Sequence, residues 1–132
     1  MTTRPTPFLR NVLLLDAVAT GATGLLMTFF AGTLTGLLQI PNTLLFYAGL
    51  ILLPYAALVG WLARRETLPR WSVWAVIVTN ALWAVDSVLL AMSGWVEPNA
   101  LGYAFILMQA LVVVGFAELQ YVGLRRSTLR TA

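Results

Sequence analysis

All eight positive charges of this chain fall at one end of four long apolar runs. Arg4 and Arg10 precede the first run, Arg64, Arg65 and Arg70 stand between the second and third, and Arg125, Arg126 and Arg130 follow the fourth. The two opposite connections carry a single charge, Glu97. Short loops bearing Lys and Arg are retained on the cytoplasmic side during membrane insertion, so this bias specifies four spans with both termini inside. The runs cover about residues 12–31, 44–63, 71–92 and 100–121. Each has the ~20 residues needed to cross a hydrocarbon core about 30 Å thick. The sequence therefore predicts an all-α integral membrane protein, with residues 1–132 forming a single four-transmembrane-helix bundle built from two helical hairpins. Exclusive use of Arg over Lys, with abundant Ala, Leu and Val, associates the chain with a GC-rich bacterium. The cytoplasmic (inner) membrane is then the expected location.

Composition agrees and removes several function classes. The chain is 60% hydrophobic and 10% charged, with a mean hydropathy of +0.85, more apolar surface than a soluble domain of this size could hide. The Arg residues sit singly or in pairs beside the runs, where anionic lipid headgroups are the available partner. Membrane lipids are thus the expected contact, and nucleic acid is not. The chain has no Cys and no His, which excludes disulfides, thiol nucleophiles, imidazole bases and the usual zinc sites. No cofactor, metal site or catalytic constellation is expected, and an enzyme is the least favoured class. The first run resembles a secretory leader in following Arg, but it is longer than the usual 7–15 residues and contains Asp16, so it is read as a span.

Interface residues repeat the pattern. Phe8, Trp61, Trp71, Trp74 and Tyr121 fall toward the Arg-bearing end, and Phe29, Phe30, Phe46, Tyr47, Trp95 and Tyr103 toward the other, as aromatic belts at headgroup depth require. Tyr55 and Trp83 lie inside their runs and are expected to pack between helices. Gly32, Gly36, Pro41 and Asn42 in one outer connection, and Gly94, Pro98 and Asn99 in the other, carry turn chemistry. Short matching strings, such as Leu62-Ala63-Arg64-Arg65 and Gly123-Leu124-Arg125-Arg126, raise a two-span duplication as one origin of the pattern.

Three acids fall within the runs, and each costs about 2.5–3.5 kcal/mol or more at mid-membrane depth. Asp16 and Glu118 lie about 9–11 Å from an Arg at helical rise, and pairing with a snorkelling guanidinium is the expected account of both. Asp86 lies roughly 13 Å below the outer aromatic belt, with no Arg in the outer loops to meet it. Ser72, Thr79, Asp86 and Ser93 recur every seven residues, with Asn80 and Ser87 on the adjoining stripe. Such a polar face must turn toward other helices or water. Gln109 lies at matching depth on the fourth run and is expected beside Asp86. The candidate ligand or proton site is therefore Asp86, Asn80, Gln109, Thr79 and Trp83, with Asp16, Thr20 and Glu118 as secondary candidates. Span one presents Asp16, Thr20 and Thr23 beside Ala17, Gly21, Gly24 and Thr28, small residues that let helices approach closely and predict a central position for that span. Pro54 marks an expected kink in span two.

Two functions remain. The first is a small inner-membrane protein of non-catalytic structural or accessory type. The alternative is an oligomeric proton-linked transporter or small-ligand-binding membrane protein using Asp86 near the midplane. Gln109 and Glu118 lie half a turn apart, so one of them points away from the bundle centre. Self-association or membership of a larger membrane complex follows as an expectation.

Overall fold

The computed structural model describes residues 2–130; Met1, Thr131 and Ala132, and with them the predicted placement of the chain ends, lie outside the described residues. In chain order the elements are β1 (Thr2–Arg4), α1 (Pro7–Phe29), α2 (Ala31–Leu38), α3 (Asn42–Ala63), β2 (Leu68–Pro69), α4 (Arg70–Ser93), α5 (Ala100–Arg126) and β3 (Thr128–Arg130). Four of these helices, α1, α3, α4 and α5, are long and apolar enough to cross a membrane. Each overlaps one of the four predicted runs, though α1 begins five residues before its run and α5 ends five residues beyond its own.

Local chemistry sets their ends. Thr6 caps α1, its Oγ1 accepting from the Leu9 amide at 3.2 Å, and Pro7 occupies a first-turn position where its missing N–H costs nothing. Asn99 caps α5 by accepting from the Gly102 amide at 2.8 Å. Gly94 ends α4 with φ of 80°, a left-handed conformation that favours glycine. Arg125 and Arg126 lie in the last turn of α5, where cations complement the exposed carbonyls.

The long helices pack in the lateral order α3, α1, α5, α4, with α1 against both α3 and α5, and α4 against α5. The α1–α3 contact depends on small residues. A Cβ on Gly49 would stand 2.8 Å from both the Gly24 carbonyl oxygen and the Thr28 amide nitrogen. Gly123 of α5 admits Leu9 of α1 in the same way, with 3.0 Å between the Leu9 Cβ and a Cβ built on the glycine. Trp74 and Tyr121 meet edge to face at 5.6 Å between α4 and α5. Helices α3 and α4 form the two walls of a groove at the Arg-bearing end. One apolar core, around Leu9, Leu13, Val59, Val73 and Leu124, fills the Arg-bearing end. A second, around Met27, Leu38, Leu45, Leu52 and Ile106, fills the far end.

Two features differ from the sequence reading. The connection after α1 is not a simple turn: Gly32 and Gly36 lie within α2, and only Gln39 (φ 57°) adopts a left-handed conformation there. The apolar spacing of Ala31, Leu34 and Leu38 explains this, because Ala31 and Leu38 are buried while both glycines stay on the exposed side. At the Arg-bearing end, β1 pairs antiparallel with both β2 and β3, Thr3 lying opposite Leu68 and Leu129. Strands of two and three residues are too short to show an alternating pattern. This small sheet ties the segment before α1, the α3–α4 connection and the segment after α5 together. It thereby gathers all eight Arg positions at one end of the bundle.

The glycine contacts generate a stability prediction. Gly49→Ala should lower stability by about 1–3 kcal/mol through overpacking against α1. Gly36→Ala, which meets nothing within 4 Å, should be neutral or slightly stabilising. Thermal unfolding of the two variants in detergent measures the difference.

Candidate functional site

The most buried acid is Asp16, at 1% exposure. Its carboxylate accepts three hydrogen bonds: from Thr20 Oγ1 at 2.9 Å, from Asn80 Nδ2 at 2.9 Å and from Gln120 Nε2 at 2.6 Å. Asn80 uses its second amide hydrogen on Gln120 Oε1 at 3.0 Å. Its Oδ1 accepts from the Tyr55 hydroxyl at 3.0 Å. Asp16 and Thr20 come from α1, Tyr55 from α3, Asn80 from α4 and Gln120 from α5, so all four long helices meet at this node. These three donors, rather than a cation, are the partners of the Asp16 carboxyl. The expected pairing of Asp16 with an inner Arg is not formed. Asp16 faces the bundle interior from the small-residue side of α1, while Arg10 donates through Nη2 to the Arg65 carbonyl at 2.9 Å.

A second polar group lies farther from the Arg-bearing end. Trp83 donates through Nε1 to Gln109 Oε1 at 2.8 Å, and Gln109 Nε2 donates to Ser87 Oγ at 2.9 Å and to the Ile106 carbonyl at 2.8 Å. Ser87 in turn donates to the Trp83 carbonyl at 2.8 Å. Asn80, Gln109 and Trp83 thus point inward, yet Gln109 does not lie in hydrogen-bond contact with Asp86 as expected. Asp86 is exposed and has no hydrogen bond among the described residues. Helical geometry explains the difference: Ser87 lies about 20° from Asn80 around α4, whereas Asp86 lies about 120° away. The inward stripe is therefore Asn80, Trp83 and Ser87, with Thr79 and Asp86 on its flank. Glu118 is exposed on α5, beside Ile77, Ala81, Val114 and Tyr121 rather than beside an Arg partner.

Two node members are absent from the sequence candidates: Tyr55, which was expected only to pack between helices, and Gln120. For Gln120 the sequence held a usable sign, because it follows Gln109 by eleven residues, close to three full turns, and shares that residue's face.

The α3–α4 groove runs past both polar groups. A central cavity of about 370 Å³ is lined by Thr20, Tyr55, Asn80, Trp83, Phe105 and Gln109, among others. A far-end chamber of about 330 Å³ adjoins it, sharing Ile51, Trp83, Phe105 and Gln109 and adding Tyr47, Asp86 and Ser87. Toward the Arg-bearing end the groove continues as a space of about 440 Å³ between Leu58, Trp61 and Arg65 on one side and Trp71, Ala75 and Thr79 on the other. Ile51 on the α3 lip and Asp86 on the α4 lip are exposed, so the groove opens sideways. The Tyr55 hydroxyl bridges it, donating to Asn80 and lying 3.3 Å from the Val76 carbonyl.

No group of three or more acids able to hold a metal ion occurs among the described residues. Comparison with protein-family models, curated proteins and solved structures finds no match to the chain.

The bridge can be tested on its own. Tyr55→Phe should cost about 0.5–1.5 kcal/mol, the net worth of an ordinary hydrogen bond. Spin labels at Phe46 on α3 and Met92 on α4 should report a broader distance distribution in the variant than in the native protein.

Proposed function

We propose that this chain is a non-catalytic four-span protein of the bacterial inner membrane, with its Arg-bearing end and both termini in the cytoplasm, that binds a small apolar molecule in the α3–α4 groove. The positive charge bias supports the orientation. The exposed faces of the long helices support residence in lipid, since they carry Val18, Ile51, Leu89 and Leu111.

The observation that carries the binding reading is the pair of contiguous cavities, the central one lined by all four long helices and the far-end one chiefly by α3, α4 and α5. Their volumes fall near the lower end of the range for small-molecule sites, about 300–1,000 Å³. Their walls are apolar and aromatic, with a few fixed polar groups that could orient an occupant. A lateral opening suits a molecule that has already partitioned into the bilayer. The Asp16 node is the floor of the site, because its side chains are paired with one another and hold the groove walls at a fixed separation. Carriage of the occupant across the membrane would require further conformations, so binding is the function proposed.

A second reading, an accessory role in a larger assembly, is favoured by one observation. Glu118 is exposed on an otherwise apolar face of α5, and lipid offers a carboxylate no hydrogen-bond donor. A partner helix covering that face would supply one.

The binding reading is tested with N-phenyl-1-naphthylamine, an uncharged apolar fluorophore, added to the protein in nanodiscs. Saturable energy transfer from tryptophan is expected, reduced in Trp83→Phe and weakened at least fivefold in Ala48→Phe, which fills the far-end chamber. A linear signal equal to partition into protein-free nanodiscs would contradict it.

A further inference from the structure

We infer that the far-end chamber selects hydrophobic cations, such as lipophilic amines or quaternary onium ions, with Asp86 as the counter-charge; this rests on the groove-binding reading above and names its ligand class. Three aromatic side chains, Tyr47, Trp83 and Phe105, line the chamber together with the Asp86 carboxylate. Apart from Ser87 and Gln109 the remaining wall is apolar and includes Met27, Leu45, Leu90 and Ile106. Aromatic faces attract cations through the ring quadrupole, most strongly where water is excluded.

The polar inventory excludes the other ligand charges. No Arg or Lys lines the chamber, and all eight positive charges of the chain lie at the opposite end of the helices. Along α4, Asp86 stands sixteen residues from Arg70, about 24 Å at helical rise. The Trp83 N–H and the Gln109 amide are already bonded to each other and to Ser87, and the Ser87 hydroxyl donates to the Trp83 carbonyl. An anionic guest would therefore find a repelling carboxylate and only the Tyr47 hydroxyl as a donor. A cation finds an acceptor without a partner among the described residues, and rings contributed by α3, α4 and α5.

The chamber also accounts for the cost of Asp86. A carboxylate at this depth is expensive without a partner, and neither the far-end connections nor the neighbouring helices supply a cation. An occupant carrying the positive charge completes the site.

The test compares tetraphenylphosphonium with tetraphenylborate, a cation and an anion of the same shape, by equilibrium dialysis against the full chain in nanodiscs. Partition into protein-free nanodiscs is subtracted. The expected result is saturable binding of the cation at least tenfold tighter than any binding of the anion. Asp86→Asn should weaken cation binding at least tenfold. Asp86→Glu should retain cation binding, and Glu118→Gln should not affect it. Should Asp86→Asn fail to fold, judged by its melting profile, the cation–anion comparison on native protein decides alone. Equal binding of the two ions, or cation binding indifferent to Asp86→Asn, would overturn the inference while saturable naphthylamine binding leaves the groove reading intact. Absence of saturable binding by all three probes would remove both.

Discussion

A carboxylate buried at mid-helix with no cation beside it can persist only if other helices bring donors to it, and this requirement organises the bundle. Asp16 draws Asn80 from α4 and Gln120 from α5 to its oxygens, and Asn80 brings Tyr55 from α3. One acid thus fixes the relative depth and rotation of four helices. The energetic balance is narrow: insertion of the acid costs about 2.5–3.5 kcal/mol, and interhelical hydrogen bonds in membranes contribute about 0.6–2 kcal/mol each. The two bonds that reach Asp16 from α4 and α5 roughly offset the cost, so the node specifies an arrangement more than it adds stability. Dispersion between close-packed backbones, as at Gly24 and Gly49, supplies the adhesion.

The same arrangement leaves one side of the bundle open. Helix α1 is gripped by small residues on α3 and by Gly123 on α5, and α4 lies along α5, while the Tyr55 hydroxyl carries a hydrogen bond from α3 to α4. The groove is the consequence. Asn80, Trp83, Ser87 and Gln109, which touch it, are held by bonds to one another and to their neighbours. Asp86, on the lip, has no hydrogen bond among the described residues, which sets it apart from Asp16.

Much of the scaffold was legible in the amino-acid sequence, because bilayer thickness demands long uninterrupted apolar runs and the Arg distribution marks their ends. The central place of the first span followed from its Gly and Thr spacing, and the interhelical roles of Tyr55 and Trp83 from their depth. The roles of the acids were not legible. Depth along a helix can be counted from the sequence, but whether a residue faces a neighbour or lipid depends on rotation, and a shift of one position moves a side chain by 100°. That separates Asp86 from Ser87, and it reversed the environments expected of Asp16 and Asp86. The cap formed by α2 and the three-stranded sheet were hidden for a different reason: their segments are too short to show a period.

The central claim, that the Asp16 carboxylate and the Gln120 amide hold α1 and α5 together as one unit, is tested most directly by a double-mutant cycle. Asp16→Leu and Gln120→Leu, alone and together, would be followed by reversible unfolding in mixed micelles. Each single change should destabilise by about 1–3 kcal/mol, by leaving buried polar groups without partners. The double variant should lose less than the sum, with a coupling of at least about 0.5 kcal/mol. Additivity to within about 0.3 kcal/mol would contradict it.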